Sequence, residues 1–217
     1  MVIPVDLNET PFPGEAPEET VLRLARAKAA RGRELAIRAA LQARVLSAAP
    51  CPAEEGSSPV PSISAGAPPP PRDGSAMEAG PPRLVVGADT AVVLEKEMLG
   101  KPAGNQAAVR MLSLLSDRVH RVLTALVVDD LDGGLSEGGV AETRVRFARL
   151  SREEIERYVA TGEPLDKAGA YGIQGDGHRL VDRIEGSYTN VVGFPVELFA
   201  EILTRLGLTL ADLARTP

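Results

Sequence analysis

The amino-acid sequence predicts an α/β or α+β fold built on a mixed β-sheet. Short apolar runs at 84–86 and 91–94 are typical of buried strands. The pattern at 105–115 is helical, with apolar residues at core spacing, and strands and helices follow one another without regular alternation. The chain has 217 residues, of which 44% are hydrophobic and only 3% aromatic. This length suits one domain with an aliphatic core, of ordinary size or two-lobed.

The first predicted element is a long helix from Pro17 to about residue 46. Proline suits the first helical turn, and Glu18 and Glu19 complement the helix dipole there. We expect Arg23 to lie on the solvated face of this helix, and Gly32 favours a break near its middle.

Residues 47–82 have a different composition from the rest of the chain. They hold ten of the eighteen prolines together with many Ser, Gly and Ala residues. Such a segment buries too little apolar surface to offset its ordering entropy, which predicts a disordered insertion with polyproline II character. A motif for a proline-recognising module is the alternative. Cys51 lies in this segment and is interpreted as an incidental exposed thiol.

The second half of the chain is dense in element signatures. Thr143, Val145 and Phe147 alternate with arginines, and Ser151 and Glu154 form a capping-box pattern. The predicted elements are a helix at 105–115, a strand at 119–128, a turn at 129–139, the returning strand, a helix ending near 160, a strand at 180–184, and a last helix opened by Pro195 and closed by Gly207.

The composition also excludes several classes of protein. A net charge of -6 argues against a surface that coats nucleic acid, and a single cysteine excludes a disulfide framework or a cysteine zinc site. The sequence has no long apolar run and no basic-then-apolar leader at its start. These features predict a cytoplasmic protein that binds neither nucleic acid nor membrane.

The stretch from Gly162 to Gly175 is the first candidate for a functional segment. It interleaves four glycines with acids, a lysine, a tyrosine and a glutamine, which fits a ligand-binding loop or an ordinary surface loop. Asp89 is expected just after an apolar strand, where it could hold a cation, activate water, or simply cap a turn. Lys101, between Gly100 and Pro102, suits a point charge for phosphate or an exposed surface lysine.

The other candidates are ambiguous when taken singly. Lys28 fits a solvated helix position and Glu9 fits a loop acid, while Gln174 offers a donor and an acceptor for a base edge. Asp166 and Lys167 are expected to pair with each other. The chain contains neither a dinucleotide fingerprint nor a Walker-type phosphate loop. We interpret both histidines, at 120 and 178, as structural.

Taken together, these segments resemble the Maf family of nucleotide pyrophosphatases, once called septum formation inhibitors. The match extends in the family's order over nearly the whole chain outside the insertion. The matching segments are Asp6-Leu-Asn-Glu-Thr10, Arg23-Leu-Ala-Arg-Ala-Lys-Ala29, Gly87-Ala-Asp-Thr90, Gly100-Lys-Pro102, Thr161-Gly-Glu-Pro164, the run from Asp166 to Gly175, and Ile184-Glu-Gly-Ser-Tyr-Thr-Asn-Val-Val-Gly193.

The resemblance implies a function and an architecture. It implies hydrolysis of nucleoside triphosphates to a monophosphate and pyrophosphate, on a two-lobed α/β fold with a cleft between lobes around a twisted mixed sheet. Asp89 would be the catalytic acid-base residue and would hold Mg²⁺ or Mn²⁺ together with Glu9. Lys28 and Lys101 would neutralise the triphosphate, and a homodimer is expected.

The same resemblance narrows the substrate. The sequence Gly172-Ile-Gln-Gly175 is similar to that of the branch acting on dTTP and UTP, whereas the branch acting on 7-methyl-GTP has a Cys-Glu-Gly type sequence. Thr90 and Gln174 match positions that bear on substrate choice. Because an amide can pair with the edge of a pyrimidine, we expect dTTP, UTP and modified pyrimidine relatives as substrates.

The chain departs from the family pattern at its start. Family members carry a strand and a Ser-x-Ser-Pro-Arg-Arg loop upstream of the segment matched here by Val2-Ile-Pro. Two expectations follow: the start is assigned too late, or the chain is a truncated relative with weak or no catalysis, serving as a nucleotide-binding regulator linked to cell division. An inosine-triphosphate pyrophosphatase is a third hypothesis, although its motifs are not present.

Overall fold

The computed structural model describes residues 7–47 and 83–214, with side chains from residues 7–40 and 83–214. The insertion predicted at 47–82, Cys51 and the Val2-Ile-Pro segment therefore lie outside the described residues, apart from the backbone of residue 47. The elements are α1 (Pro17–Ser47), β1 (Leu84–Leu94), β2 (Glu97–Leu99), α2 (Asn105–Leu115), β3 (Val119–Asp130), β4 (Ser136–Phe147), α3 (Arg152–Ala160), β5 (Val181–Glu185), α4 (Tyr188–Val192), α5 (Val196–Arg205) and α6 (Leu210–Leu213).

The five described strands form one sheet in the order β2-β1-β3-β4-β5. The helices pack against it, which confirms the α/β class. Every described strand pair is antiparallel, so the expectation of a mixed sheet is corrected for this part of the chain. Connectivity accounts for two of these pairs, because β1–β2 and β3–β4 are hairpins, and hairpins produce antiparallel neighbours.

Strand β1 differs from the sequence prediction, and the difference changes where Asp89 lies in the fold. Two short strands with a turn between them were expected, but Leu84–Leu94 is one strand, paired with β3 from Leu84 to Val93. Asp89 therefore lies in the middle of a strand and not at a strand end. Gly87 is required by close packing, because a Cβ there would lie 2.2 Å from the carbonyl oxygen of Ala25.

Helix α1 crosses directly over β1. It is continuous through Gly32, so the predicted break is wrong. A Cβ at Gly32 would lie 2.8 Å from Cγ1 of Val85, which shows that this glycine serves packing against the strand. The intrinsic helix penalty of a glycine, about 1 kcal/mol, is small enough for such packing to override.

Among the described residues, three groups of buried apolar side chains lie on the two faces of the sheet. One group joins α1 to β1 and β3, the second packs α5 against β3, and the third joins α2, α3 and the strand ends near Phe147. The α1 group contains Val21, Ala25, Ala29, Ala91, Val93, Leu123, Ala125 and Val127. Its small side chains bring the helix backbone close to the strand that carries Asp89.

The remaining elements agree with the sequence pattern, apart from strand β2, which was not predicted, and three further differences. The capping box at Ser151 and Glu154 is confirmed. The turn between β3 and β4 is shorter than expected, since β4 already begins at Ser136. Helix α4 was not predicted, and α5 is not the last helix because α6 follows it. No helix in the described ranges is long and apolar enough to cross a membrane.

Candidate active site

A cleft of about 680 Å³ lies beside the middle of β1. Its walls come from α1 and Glu9 on one side and from the loop 163–175 and α4 on the other. Strand β2 pairs only with Val92–Leu94, and no other described strand pairs with 88–91 on that side of β1. The cleft is therefore built where the described edge of β1 extends beyond its neighbour.

Asp89 is the most buried acid that lines this cleft, with 9% of its surface exposed. Its Oδ1 atom accepts a hydrogen bond from Lys28 Nζ at 2.5 Å. Burial raises the pKa of Asp89 above its ordinary value of 3.8, because removal of water disfavours the charged form. The hydrogen bond and charge of Lys28 act in the opposite direction but do not cancel the effect of burial.

Three more of the predicted residues meet Asp89 in the cleft. Lys28 Nζ lies 3.6 Å from Glu9 Oε1, and Lys101 Nζ lies 3.9 Å from Glu9 Oε2. These four residues thus form a continuous cluster of alternating charge. Glu9 comes from the segment before α1, Lys28 from α1, Asp89 from β1, and Lys101 from the segment that follows β2.

The segment that carries Glu9 is fastened to α1 by Arg23. The guanidinium of Arg23 donates to both carboxylate oxygens of Glu15, at 2.6 and 2.8 Å, and to the carbonyl oxygen of Thr10 at 3.3 Å. It also lies 4.1 Å from the ring centroid of Phe12. The prediction that Arg23 is a solvated helix residue is wrong, because its side chain joins the N-terminal segment to α1.

The two residues expected to govern substrate choice also line the cleft, at separate places. Thr90 belongs to the strand beside Asp89, and its hydroxyl lies 2.9 Å from that of Thr124. Thr124 in turn donates to the carbonyl oxygen of Asn190 at 3.0 Å, which links β1 and β3 to α4. Gln174 is exposed on the glycine-rich loop.

The glycine-rich loop contains two short 3-10 turns, at Glu163–Asp166 and Ala168–Ala170, and a third follows the loop at Asp176–Leu180. Lys167 pairs with Asp166 at 2.7 Å, as predicted. The amide of Gly169 donates to the carbonyl oxygen of Gly100 at 3.1 Å, so the loop is attached to the residue before Lys101.

Both histidines have structural contacts. His120 is 1% exposed, and its Nε2 lies 2.8 Å from the hydroxyl of Tyr171, a residue of the cleft wall. Burial lowers the pKa of His120 to about 4. His178 Nδ1 lies 2.7 Å from the carbonyl oxygen of Gly175.

Glu163 is a residue of the site to which the sequence analysis gives no role. Glu163 lines the cleft, and its carboxylate accepts hydrogen bonds from Tyr158 and from the backbone of the loop. The available indication was its place in the Thr161-Gly-Glu-Pro164 segment, for which no role was proposed. Its partners are 5 to 14 residues away in sequence and meet it only through the fold.

The charged cluster contains two carboxylates that could serve as metal ligands. Among the described side chains, no group of three or more His, Cys, Asp or Glu residues could hold a metal ion by itself. Glu9 and Asp89 both contact the ammonium of Lys28. Two carboxylates fit the hard, oxygen-only ligand set of Mg²⁺, which commonly takes one or two carboxylates and completes its coordination with phosphate oxygens and water.

Comparison with known proteins gives the chain a family. A sequence model described as Maf-like protein matches residues 1–206. The chain belongs to the Maf family. A relative from Citrifermentans bemidjiense is 38% identical over 209 residues, which cover 95% of this chain and 84% of that protein. It is named a dTTP/UTP pyrophosphatase.

Two further Maf-family relatives match more closely over a shorter region. Proteins from Moorella thermoacetica and Dictyoglomus turgidum are 53% and 47% identical over 125 and 127 residues, each match covering 58% of this chain. Both are named dTTP/UTP pyrophosphatase. These matches span 64% and 66% of the relatives' own lengths, slightly less than two thirds.

Proposed function

We propose that this Maf-family chain hydrolyses dTTP and UTP between the α and β phosphates, giving the nucleoside monophosphate and pyrophosphate. The observation that carries the proposal is the buried Asp89 carboxylate, which lies in the cleft against Lys28 with Lys101 in the same charge cluster. The names of the Maf-family relatives support the choice of substrates.

In the proposed reaction, Asp89 acts as a general base. Its raised pKa makes the ionised Asp89 carboxylate a better proton acceptor than the carboxylate of an exposed aspartate. Asp89 takes the proton of a water that attacks the α-phosphorus. The bond from the α-phosphorus to the bridging oxygen breaks, and its electron pair leaves with pyrophosphate. Lys28 and Lys101 neutralise charge on the phosphate oxygens during this step.

We further propose that Glu9 and Asp89 hold a divalent cation, Mg²⁺ or Mn²⁺. When bound, such a cation supplies positive charge to the phosphate oxygens and lowers the pKa of bound water. The support for this is that both carboxylates lie against the same ammonium, with Lys28 Nζ 3.6 Å from Glu9 Oε1 and 2.5 Å from Asp89 Oδ1. Arg23 contributes by fastening the segment that carries Glu9 to α1.

For base selection we propose Gln174 and Thr90. The Gln174 amide is exposed on the cleft side of the loop, where it can donate to and accept from a pyrimidine edge. The hydroxyl of Thr90, a residue of the cleft wall, is held 2.9 Å from that of Thr124, which gives this part of the wall a fixed shape.

The test is release of pyrophosphate from dTTP and UTP in the presence of Mg²⁺ or Mn²⁺, followed with a coupled pyrophosphatase. We expect Asp89→Asn to abolish release, while Asp182→Asn, an exposed aspartate on β5, keeps it. Absence of turnover by the wild-type chain would favour a nucleotide-binding regulator. Equal or faster turnover of 7-methyl-GTP, or a preference for ITP or XTP, would refute the substrate assignment.

We also propose that residues 1–217 form a single domain and assemble as a homodimer. Tyr188, Phe194 and Val196 are exposed apolar residues of one short segment, and exposed apolar patches commonly mark interfaces. Light scattering after size exclusion would reveal a mass near twice that of the 22.8 kDa chain, whereas a monomer would refute this assembly.

A further inference from the structure

The carboxylate of Glu163 lies inside the loop that carries Gln174. Its Oε1 accepts hydrogen bonds from the hydroxyl of Tyr158 at 2.9 Å and from the amide of Gly177 at 3.3 Å. Its Oε2 accepts from the amide of Asp176 at 2.9 Å. All three contacts use Glu163 as an acceptor, which suits an ionised carboxylate.

The hydroxyl of Tyr158 joins Glu163 to a second point on the loop backbone, at Gly172. Its hydroxyl accepts a hydrogen bond from the amide of Gly172 at 3.1 Å while it donates to Glu163. Tyr158 belongs to α3 and is 5% exposed, so a buried helix side chain fixes the position of this hydroxyl. The backbone is thus held before Gln174, at Gly172, and after it, at Asp176 and Gly177.

The glycines of the loop allow this closure. A Cβ at Gly175 would lie 2.3 to 2.4 Å from the Glu163 carboxylate atoms, far inside van der Waals contact. A Cβ at Gly177 would lie 2.4 Å from the carbonyl oxygen of Gly172 and 2.7 Å from the Tyr158 hydroxyl. Since Gly175 has an ordinary φ of -95°, the requirement for glycine there is space around the carboxylate and not backbone conformation.

We infer that Glu163 is a positioning residue for base selection: its carboxylate, together with the Tyr158 hydroxyl, holds the Gly172–Gly177 backbone in the shape that presents Gln174 to the base. This inference rests on the proposed function, because it assigns a part in choosing the substrate of that same cleft. Glu163 is not proposed to touch the triphosphate, since the loop amides and Tyr158 already occupy its oxygens.

The first test measures the loop without any nucleotide. We expect Glu163→Gln to speed hydrogen exchange at the amides of Asp176 and Gly177 by about 10- to 100-fold, which corresponds to losing one hydrogen bond to a charged group. The matched control is Glu156→Gln, the same change at an exposed position of α3. Exchange that is unchanged in Glu163→Gln would overturn the inference.

The second test separates positioning from chemistry. In Glu163→Gln we expect the KM for dTTP to rise about tenfold or more, with kcat nearly unchanged and little effect on a purine triphosphate. Tyr158→Phe keeps the Glu163 contacts with Asp176 and Gly177, so its effect should have the same direction and be smaller. A loss confined to kcat, or an equal loss for purine and pyrimidine triphosphates, would refute a role in base selection.

A double-mutant cycle examines the packing directly. Gly175→Ala places a methyl group against the Glu163 carboxylate and should raise the KM for dTTP in the wild-type background. In a Glu163→Ala background the carboxylate is gone, so the same methyl group should add little. Fully additive effects would contradict the inference. Melting temperatures of all variants distinguish local loosening from unfolding.

The experiments distinguish failure of the proposed function from failure of the inference about Glu163. If the wild-type chain releases no pyrophosphate from any triphosphate, the pyrophosphatase proposal falls. The exchange measurement on the free protein would then still decide whether Glu163 holds the loop.

Discussion

His120 makes the stability of this fold sensitive to mild acid. Its imidazole is 1% exposed, packs edge-on against Phe147 and Tyr171, and has no described partner for Nδ1. Burial lowers its pKa from the ordinary 6.5 to about 4. As the pH falls below 6.5, His120 becomes protonated in the unfolded chain while it stays neutral in the folded chain. Folded-state stability is therefore lost between about pH 6.5 and pH 4.

The two pKa values set the size of the effect. At pH 5 the unfolded histidine is mostly charged while the folded one is mostly neutral. Linkage then gives a loss of about 2 kcal/mol relative to pH 7.5. Other groups also titrate in this range, so the contribution of His120 has to be measured as a difference between variants.

Urea unfolding at pH 7.5 and pH 5 provides that difference. We expect His120→Gln to be less stable than wild type at pH 7.5, because a packed ring is lost, yet to lose about 2 kcal/mol less on acidification. The control His178→Gln, at an exposed ring, should retain the wild-type pH dependence. An equal loss in wild type and His120→Gln would refute the reasoning.

Four further predictions concern the site and its support. The kcat/KM for dTTP should fall on the acid side at a pH above the ordinary aspartate pKa of 3.8, because the Asp89 base must be ionised and its pKa is raised. Lys28→Met should move this acid limb to higher pH, since it removes the hydrogen bond and charge that lower that pKa, and pH–rate profiles of both proteins would show a shift or its absence. Gly87→Ala should destabilise the protein by about 3 kcal/mol in urea unfolding, because its methyl group meets the backbone of α1; a change near zero would contradict the packing. Arg23→Met should raise by about tenfold the Mg²⁺ concentration for half-maximal activity, and an unchanged metal titration would show that Glu9 does not depend on the Arg23 contacts.

The residues that meet in the cleft could be predicted from the sequence, whereas the single long strand that carries Asp89 could not. Asp89, Lys28, Glu9 and Lys101 were selected by their order in family segments, and the structure brings them together. The strand was divided into two because Gly87 and Asp89 are typical of turns. Pairing of the whole segment with β3 overrides that local preference.

Tertiary contacts explain the other differences. Gly32 has a low intrinsic helix propensity, but its lack of a side chain leaves room for Val85. That residue is more than fifty positions further along the chain, so the sequence pattern around Gly32 does not reveal the contact. The contacts of Glu163 could not be predicted, because a glycine-rich sequence does not indicate which side chain will accept hydrogen bonds from its backbone amides. Helix α4 did have local indications, since Ser187 caps its start and Gly193 adopts a left-handed conformation at its end.

The contact of α1 with Gly87 has a consequence for how the chain can be connected. The helix that carries Lys28 and the strand that carries Asp89 touch backbone to backbone. Their alignment is therefore set where they cross, and we expect it to depend little on the connection that joins them. The site should tolerate large changes in the length of that connection. The two halves of the chain, supplied as separate polypeptides, should be able to reassemble around the same crossing.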